Sequence, residues 1–178
     1  MALGATIFKA ALSVADMDRG HYADHALVIA RHPSETDERM MVRLAAFALN
    51  ADETLQFGKG LSSEDEAALW QKDLTGAVQL WIEVGLPDEK VLRKACSRSA
   101  AVRLYVFGRN AQKWWRDNEA ALQRFEHLSV YGLEENTTQA LAALAQRTMQ
   151  LQCTVQDGQA WFSDGGHTVE FAPQVLKT

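Results

Sequence analysis

Three carboxylates occupy positions where a structural role is not the first explanation. Glu38 opens a stretch in which Met41, Val42, Ala45 and Leu49 recur at helical spacing. At 3.6 residues per turn these four lie within about 60° of Glu38, which therefore shares their apolar stripe. Arg39, Arg43 and Asn50 fall on another, polar side. Glu83 stands in an alternating run whose residues Val78, Leu80, Ile82 and Val84 take one face of a strand. The opposite face carries Ala77, Gln79, Trp81 and Glu83. Asp73 precedes that strand, in a segment ending on Thr75 and Gly76. Carboxylates are hard oxygen donors, and three that converge make a site for a divalent cation. Each also has a plain alternative: Glu38 pairing with a buried arginine, Glu83 as a strand-surface charge, Asp73 satisfying a turn.

The order of these acids, helix then pre-strand then strand, followed by a helix and an apolar strand, is similar to the plan of the PD-(D/E)XK nucleases. In that plan the acids hold Mg²⁺, which polarises the phosphate and lowers the pKa of the attacking water. A closer likeness follows from two stretches. HPSETDERMMVR at 32–43, and DLTG at 73–76 leading into LWIEVGLPD at 80–88, resemble the YaeQ family over essentially the whole chain. The resemblance implies an α/β chain forming a single domain over residues 1–178, with a restriction-endonuclease-like core and hairpins at both ends. The likeness to the nuclease plan further implies a Mg²⁺-dependent phosphodiesterase acting on nucleic acid, with Glu38, Asp73 and Glu83 as catalytic metal ligands.

One departure from the nuclease pattern bears on catalysis. A (D/E)XK triplet starting at Glu83 needs lysine two places on, where Gly85 stands. Lys94 on the next expected helix is the substitute that could stabilise developing charge, with Lys90 and Lys72 as further candidates. Arg39, Arg43, Lys90 and Arg93 are the expected contacts to nucleic acid. The alternative is a module that kept the fold without the chemistry, binding nucleic acid or an unidentified protein.

The three acids share one metal only if their oxygens converge to about 4–5 Å. A chain reversal near Val78 would set Asp73 and Glu83 across from each other on paired strands, about 5 Å apart at the backbone. Reversal at Thr75 and Gly76 would instead leave Asp73 on the order of 15 Å down the hairpin.

Periodicity supplies the elements that must position these groups. Residues 5–15 and 21–31 alternate as a hairpin, and Ser34 with Asp37 three places on resembles a helix start running to Leu49. A short helix is expected at 63–70, a strand at 77–84, a helix at 87–98 and a strand at 102–107. Beyond them come a helix at 111–125, a strand at 128–131, a helix at 137–148, and strands at 149–156, 159–163 and 167–171. Asp157 and Gly158 suit a tight hairpin turn. The pattern reads as one mixed sheet flanked by helices, closed by terminal hairpins.

The chain has 178 residues and a net charge of −5, with 47% hydrophobic residues. It contains no apolar run near the ~20 residues that span a bilayer. The first eight residues lack the features of a secretory signal. Cys96 and Cys153 have no partner at metal or redox spacing, so free thiols and a cytoplasmic location are expected. Charge is uneven: residues 90–124 hold nine basic side chains against Asp117 and Glu119, an excess of seven. Gathered on one side, they would form a nucleic-acid face, and spread out they are solvated helix surface. Trp114 and Trp115 could stack bases, although neighbours on a helix point about 100° apart and one belongs to the core. His21 and His25 lack an evident third metal ligand. Gly58, Lys59 and Gly60 lack phosphate-loop spacing.

Overall fold

The computed structural model describes residues 4–59 and 65–178. Two eleven-residue strands come first, β1 (Thr6–Asp16) and β2 (His21–Arg31), paired antiparallel from Thr6 opposite Arg31 to Asp16 opposite His21. Strict alternation in β1 buries Phe8, Ala10, Leu12 and Val14 on one face. The chain then enters α1 (Asp37–Leu49). Its N-cap is Thr36, whose side chain accepts from the Arg39 amide, two residues beyond the Ser34 expected from the sequence. Ser34 is engaged elsewhere, with its hydroxyl 2.7 Å from His32 Nδ1.

Three short antiparallel strands follow, β3 (Leu55–Phe57), β4 (Leu69–Lys72) and β5 (Val78–Val84). Next come α2 (Glu89–Arg98), β6 (Ser99–Val106), α3 (Ala111–Leu122), β7 (Leu128–Gly132) and α4 (Glu135–Ala142). The chain closes with β8 (Thr148–Gln156), β9 (Gln159–Ser163), β10 (Thr168–Phe171) and β11 (Gln174–Lys177). The β8–β9 turn uses Asp157 and Gly158, both at positive φ (53° and 76°), and Asp18 accepts from both of their amides.

Instead of the single expected sheet there are two. The terminal hairpins join each other, because β1 pairs in parallel with β8, giving the order β10-β9-β8-β1-β2. The second sheet runs β11-β7-β6-β5-β4-β3, with β5, β6 and β7 parallel. Between the sheets lie α1 and α4. Leu80, Ile82 and Val84 of β5 meet α1 and the inner face of the first sheet in one core. The other face of the second sheet, with Trp81, Val102, Leu104, Val106, Leu128 and Val130, is covered by α2 and α3. The layers are thus sheet, helices, sheet, helices.

This layering explains α1. A helix between two sheets has little solvent-facing side, and every residue from Met40 to Ala48 is buried. The helix expected at 63–70 is not formed within the described residues. Its positions 63 and 64 lie outside them, and Leu69–Lys72 is a strand because Trp70 pairs with Trp81. A bulge between Gln71 and Lys72 puts Val78 on the α2 side, away from its expected companions Leu80, Ile82 and Val84. Among the described residues, no helix is long and apolar enough to cross a membrane.

Candidate functional site

The turn between β4 and β5 decides the metal question. The Asp73 amide donates to Ala77 O at 2.9 Å and the Gly76 amide to Asp73 O at 3.0 Å, so the chain reverses at Leu74, Thr75 and Gly76. Gly76 takes φ 87°, open to glycine without strain. Lys72 faces Val78, hence Asp73 stands six residues from Glu83, roughly 20 Å along the strand at about 3.3 Å per residue. The Asp73 carboxylate is consumed by the turn itself: Oδ1 accepts from the Thr75 amide, the Thr75 hydroxyl and the Ala77 amide, and Oδ2 from Gln79. These bonds, led by the Thr75 hydroxyl, hold its pKa below the usual carboxylate value. The three-acid site expected from the sequence is therefore not assembled.

Glu38 does not complete it either. Its stripe faces α4, where the Thr138 hydroxyl donates to Glu38 Oε2 at 3.1 Å, and the residue is half-buried, less than its apolar stripe implied. The acid turned inward here is Glu35, 5% exposed, in the loop just before the Thr36 cap of α1. Arg43, placed on the polar side by the sequence pattern and expected to touch nucleic acid, is 0% exposed. Arg43 Nη2 donates to Glu35 Oε1 at 2.5 Å and Nε to Oε2 at 2.9 Å, a forked pair, while Nη2 also reaches Ala30 O. Arg39 Nη1 joins Glu35 Oε2 from the same helix face. Burial pulls the Arg43 pKa down, opposed by the Glu35 charge. Glu35, Arg39 and Arg43 are four residues apart in turn, a spacing legible in the sequence as one stripe.

Glu83 differs. It lies on the Trp81 side of β5, as its alternation required, and is half-buried. Trp81 Nε1 donates to Glu83 Oε1 at 2.8 Å and the Ala68 amide also bonds the carboxylate. These donors are neutral, and the nearby charge acting on it is Arg39. Desolvation dominates and pushes the pKa of Glu83 up to about 7. A carboxyl group that titrates at neutrality can move a proton, and its raised pKa marks it as a candidate site.

Lys94 does not reach Glu83 as a motif lysine would. Its Nζ bonds Asp65 Oδ1 at 2.5 Å, and Arg98 bonds the same oxygen. The basic segment nevertheless gathers. Packed side by side on one face of the second sheet, α2 and α3 turn Lys90, Arg93, Arg98, Lys113, Arg116 and Arg124 to solvent. Glu89 joins the two helices through Arg93 and Arg124, and Asp117 takes Lys113. Among the described residues, Lys90, Arg109 and Arg116 have no carboxylate partner. Arg103 is the exception in the segment: it faces α1 and bonds Asn50 Oδ1.

A family model, "YaeQ protein", matches residues 1–173. The chain belongs to the YaeQ family. Its relatives include the "Uncharacterized protein YaeQ" of Salmonella typhi, 48% identical over 171 residues, covering 96% of this chain and 94% of the relative. That of Escherichia coli (strain K12) is 47% identical over the same span and the same shares. Among solved structures, YaeQ protein from Xanthomonas axonopodis pv. citri superposes with a TM-score of 0.94 at 46% identity, covering 98% of this chain and 99% of that one. YaeQ protein from Pseudomonas syringae gives 0.94 at 34% identity, covering 98% and 97%.

Other features of this YaeQ chain resolve as follows. Trp114 is tied to the scaffold, its indole N–H donating to Pro87 O at 3.1 Å. His21 and His25 meet ring on ring with Nε2 atoms 3.2 Å apart. No third His, Cys, Asp or Glu completes a metal cluster there or elsewhere among the described residues. Cys96 and Cys153 are buried free thiols, pushed by burial to about 11 and about 12. Neither is available as a nucleophile.

Proposed function

We propose that this YaeQ-family chain is a nucleic-acid-binding protein built on a nuclease-like core, with the exposed α2–α3 face as its contact surface. The observation that carries the reading is the assembly of Lys90, Arg93, Arg98, Lys113, Arg116 and Arg124 on one exposed surface of a chain whose net charge is −5. An acidic protein that concentrates cations on one face can hold a phosphate backbone there while the rest of its surface repels it. The nuclease-like reading of the core is supported by the order α1-β3-β4-β5-α2-β6, in which three antiparallel strands precede a parallel crossover. Glu83 stands on the third of those strands.

The residues present do not fit a magnesium site of three acids. Asp73 is spent on its turn, Glu38 faces α4, and the carboxyl of Glu83 meets neutral donors. Binding rather than cleavage is therefore the activity we assign. Fluorescence anisotropy with a labelled oligonucleotide tests it directly. Wild type should bind, and K90E/R93E/R124E should weaken binding by at least about tenfold, with thermal melting used to show that the variant still folds although Glu89 loses both arginine partners. Equal affinities in the two proteins would sink the proposal.

A second reading, phosphodiester hydrolysis, is favoured by one observation, the near-neutral pKa of Glu83. Its test is cleavage of an end-labelled oligonucleotide with Mg²⁺ or Mn²⁺ added. Products formed by wild type and lost in E83A would establish it.

A further inference from the structure

The parallel strands β6 and β7 are neighbours, yet their carboxyl ends send the chain opposite ways. From β6 it passes through Gly108 to α3 on the outer face of the second sheet, and from β7 through Leu133 to α4 between the sheets. Such a divergence opens a crevice beyond the strand ends, the place where open α/β sheets bind ligands. Here the crevice measures about 670 Å³, within the ~300–1,000 Å³ usual for small-molecule sites. None of the acids or lysines singled out in the sequence lines it.

Its lining is chemically divided. On the α3 side stand Arg109, Gln112, Trp115 and Arg116, and on the α4 side Glu134 and Glu135. Trp115 and Arg116 each stand about one turn beyond Gln112, three and four residues on, so both flank it on the helix surface. Neither arginine has a carboxylate partner among the described residues, even though two glutamates line the same crevice. The α3 N-terminus beside them carries no acid in its first turn, and its N-cap Asn110 makes no side-chain cap bond. Trp115 is half-buried, with one part packed on the core and another lining the crevice.

We infer that this crevice binds one phosphorylated nucleoside, with the phosphate held by Arg109 and Arg116 at the α3 end and the base laid against Trp115. Guanidinium groups suit phosphate oxygens, and an indole face accepts any base by stacking. Glu134 and Glu135 supply acceptors for sugar hydroxyls or an exocyclic amine, which separates the two ends of the ligand. The ligand can be a free nucleotide or the phosphorylated end of a strand, since both present the same chemistry. The crevice shares Arg116 with the α2–α3 surface, but the inference does not rest on that surface binding nucleic acid.

Isothermal titration calorimetry of the full chain with AMP, adenosine and inorganic phosphate tests it. AMP should bind at least about tenfold tighter than either fragment. Replacing both exposed arginines (R109Q/R116Q) should cost AMP about tenfold or more and leave adenosine unchanged. K90E/R93E, which disables the proposed α2 contacts, should leave AMP affinity as it was, so the two proposals fail separately. Competition by a 5′-phosphorylated oligothymidylate against its 5′-hydroxyl form then assigns the strand end as the source, and lack of competition assigns the free nucleotide. No heat at millimolar AMP overturns the inference, as does an AMP affinity indifferent to R109Q/R116Q. W115L, checked by thermal melting for intact folding, should weaken AMP and adenosine alike, and undiminished adenosine binding would remove Trp115 from the site.

Discussion

Glu35 and Glu83 are both drawn out of water, and they are held in opposite ways. Glu35 sits just ahead of the α1 N-cap with a forked guanidinium from Arg43 and a second from Arg39. Glu83 sits on β5 with an indole N–H and a backbone amide. The first carboxylate is bonded by two guanidinium groups, the second by dipoles with only the charge of Arg39 nearby, and desolvation then lifts its pKa to about 7. Burial alone does not separate a structural acid from a candidate chemical one. The partners do.

The largest effect expected from this contrast is at Glu35. E35Q removes the charge that matches Arg43, whose Nη1 already lacks a partner. Breaking a buried pair from one side costs about 3–5 kcal/mol. Denaturant unfolding of E35Q should show a loss of that order, and a loss below about 1 kcal/mol would mean that Arg43 finds another anion.

E83Q should move stability the other way. The folded pKa of Glu83 is about 7, above the roughly 4.3 of an unfolded glutamate, so ionisation is disfavoured in the folded state. Wild type therefore loses stability as pH rises from about 4.3 through 7, and E83Q, which does not titrate, escapes the loss. The variant should match wild type near pH 4 and exceed it by on the order of 2 kcal/mol at pH 8. A destabilised E83Q at pH 8 would show that a positive partner holds the carboxylate.

Asp73 gives the smallest shift. Its pKa is held below the usual value by Thr75 and the turn amides, so its contribution is present above the unfolded pKa and fades as pH falls through the folded one. D73A should lower the melting temperature slightly at pH 7, with the difference shrinking under strong acid. An unchanged melting temperature at pH 7 would show that Gly76 and the backbone bonds set the turn unaided.

Much of the fold was legible because strong periodicity writes it: β1, β2, β5, α2, α3 and β8 to β10 fall close to their expected bounds. The short strands β3, β4 and β11, of three or four residues each, carry too few positions for a period to show. The division into two sheets depends on β1 pairing with β8, about 140 residues on, which no local pattern encodes. Glu83 was legible because strand alternation sets it beside Trp81 on the face opposite the aliphatic residues. Arg43 was misplaced because helical phase assumes one wet side, and α1 has none between Met40 and Ala48. Asp73 turned on one competition, between reversal at Val78 and reversal at Gly76. The glycine and the Asp73 turn bonds won it.

The central claim is that the α2–α3 surface holds nucleic acid through its cations. The most direct test is the affinity for one oligonucleotide across a series of salt concentrations. A contact made by several Lys and Arg side chains releases counterions, so log K should fall linearly with log salt, at a slope of about −0.9 for each phosphate neutralised on duplex DNA. The account predicts a slope of about −3 or steeper for wild type, made shallower in K90E/R93E/R124E. An affinity that holds constant with salt, or no binding at low salt, would contradict it.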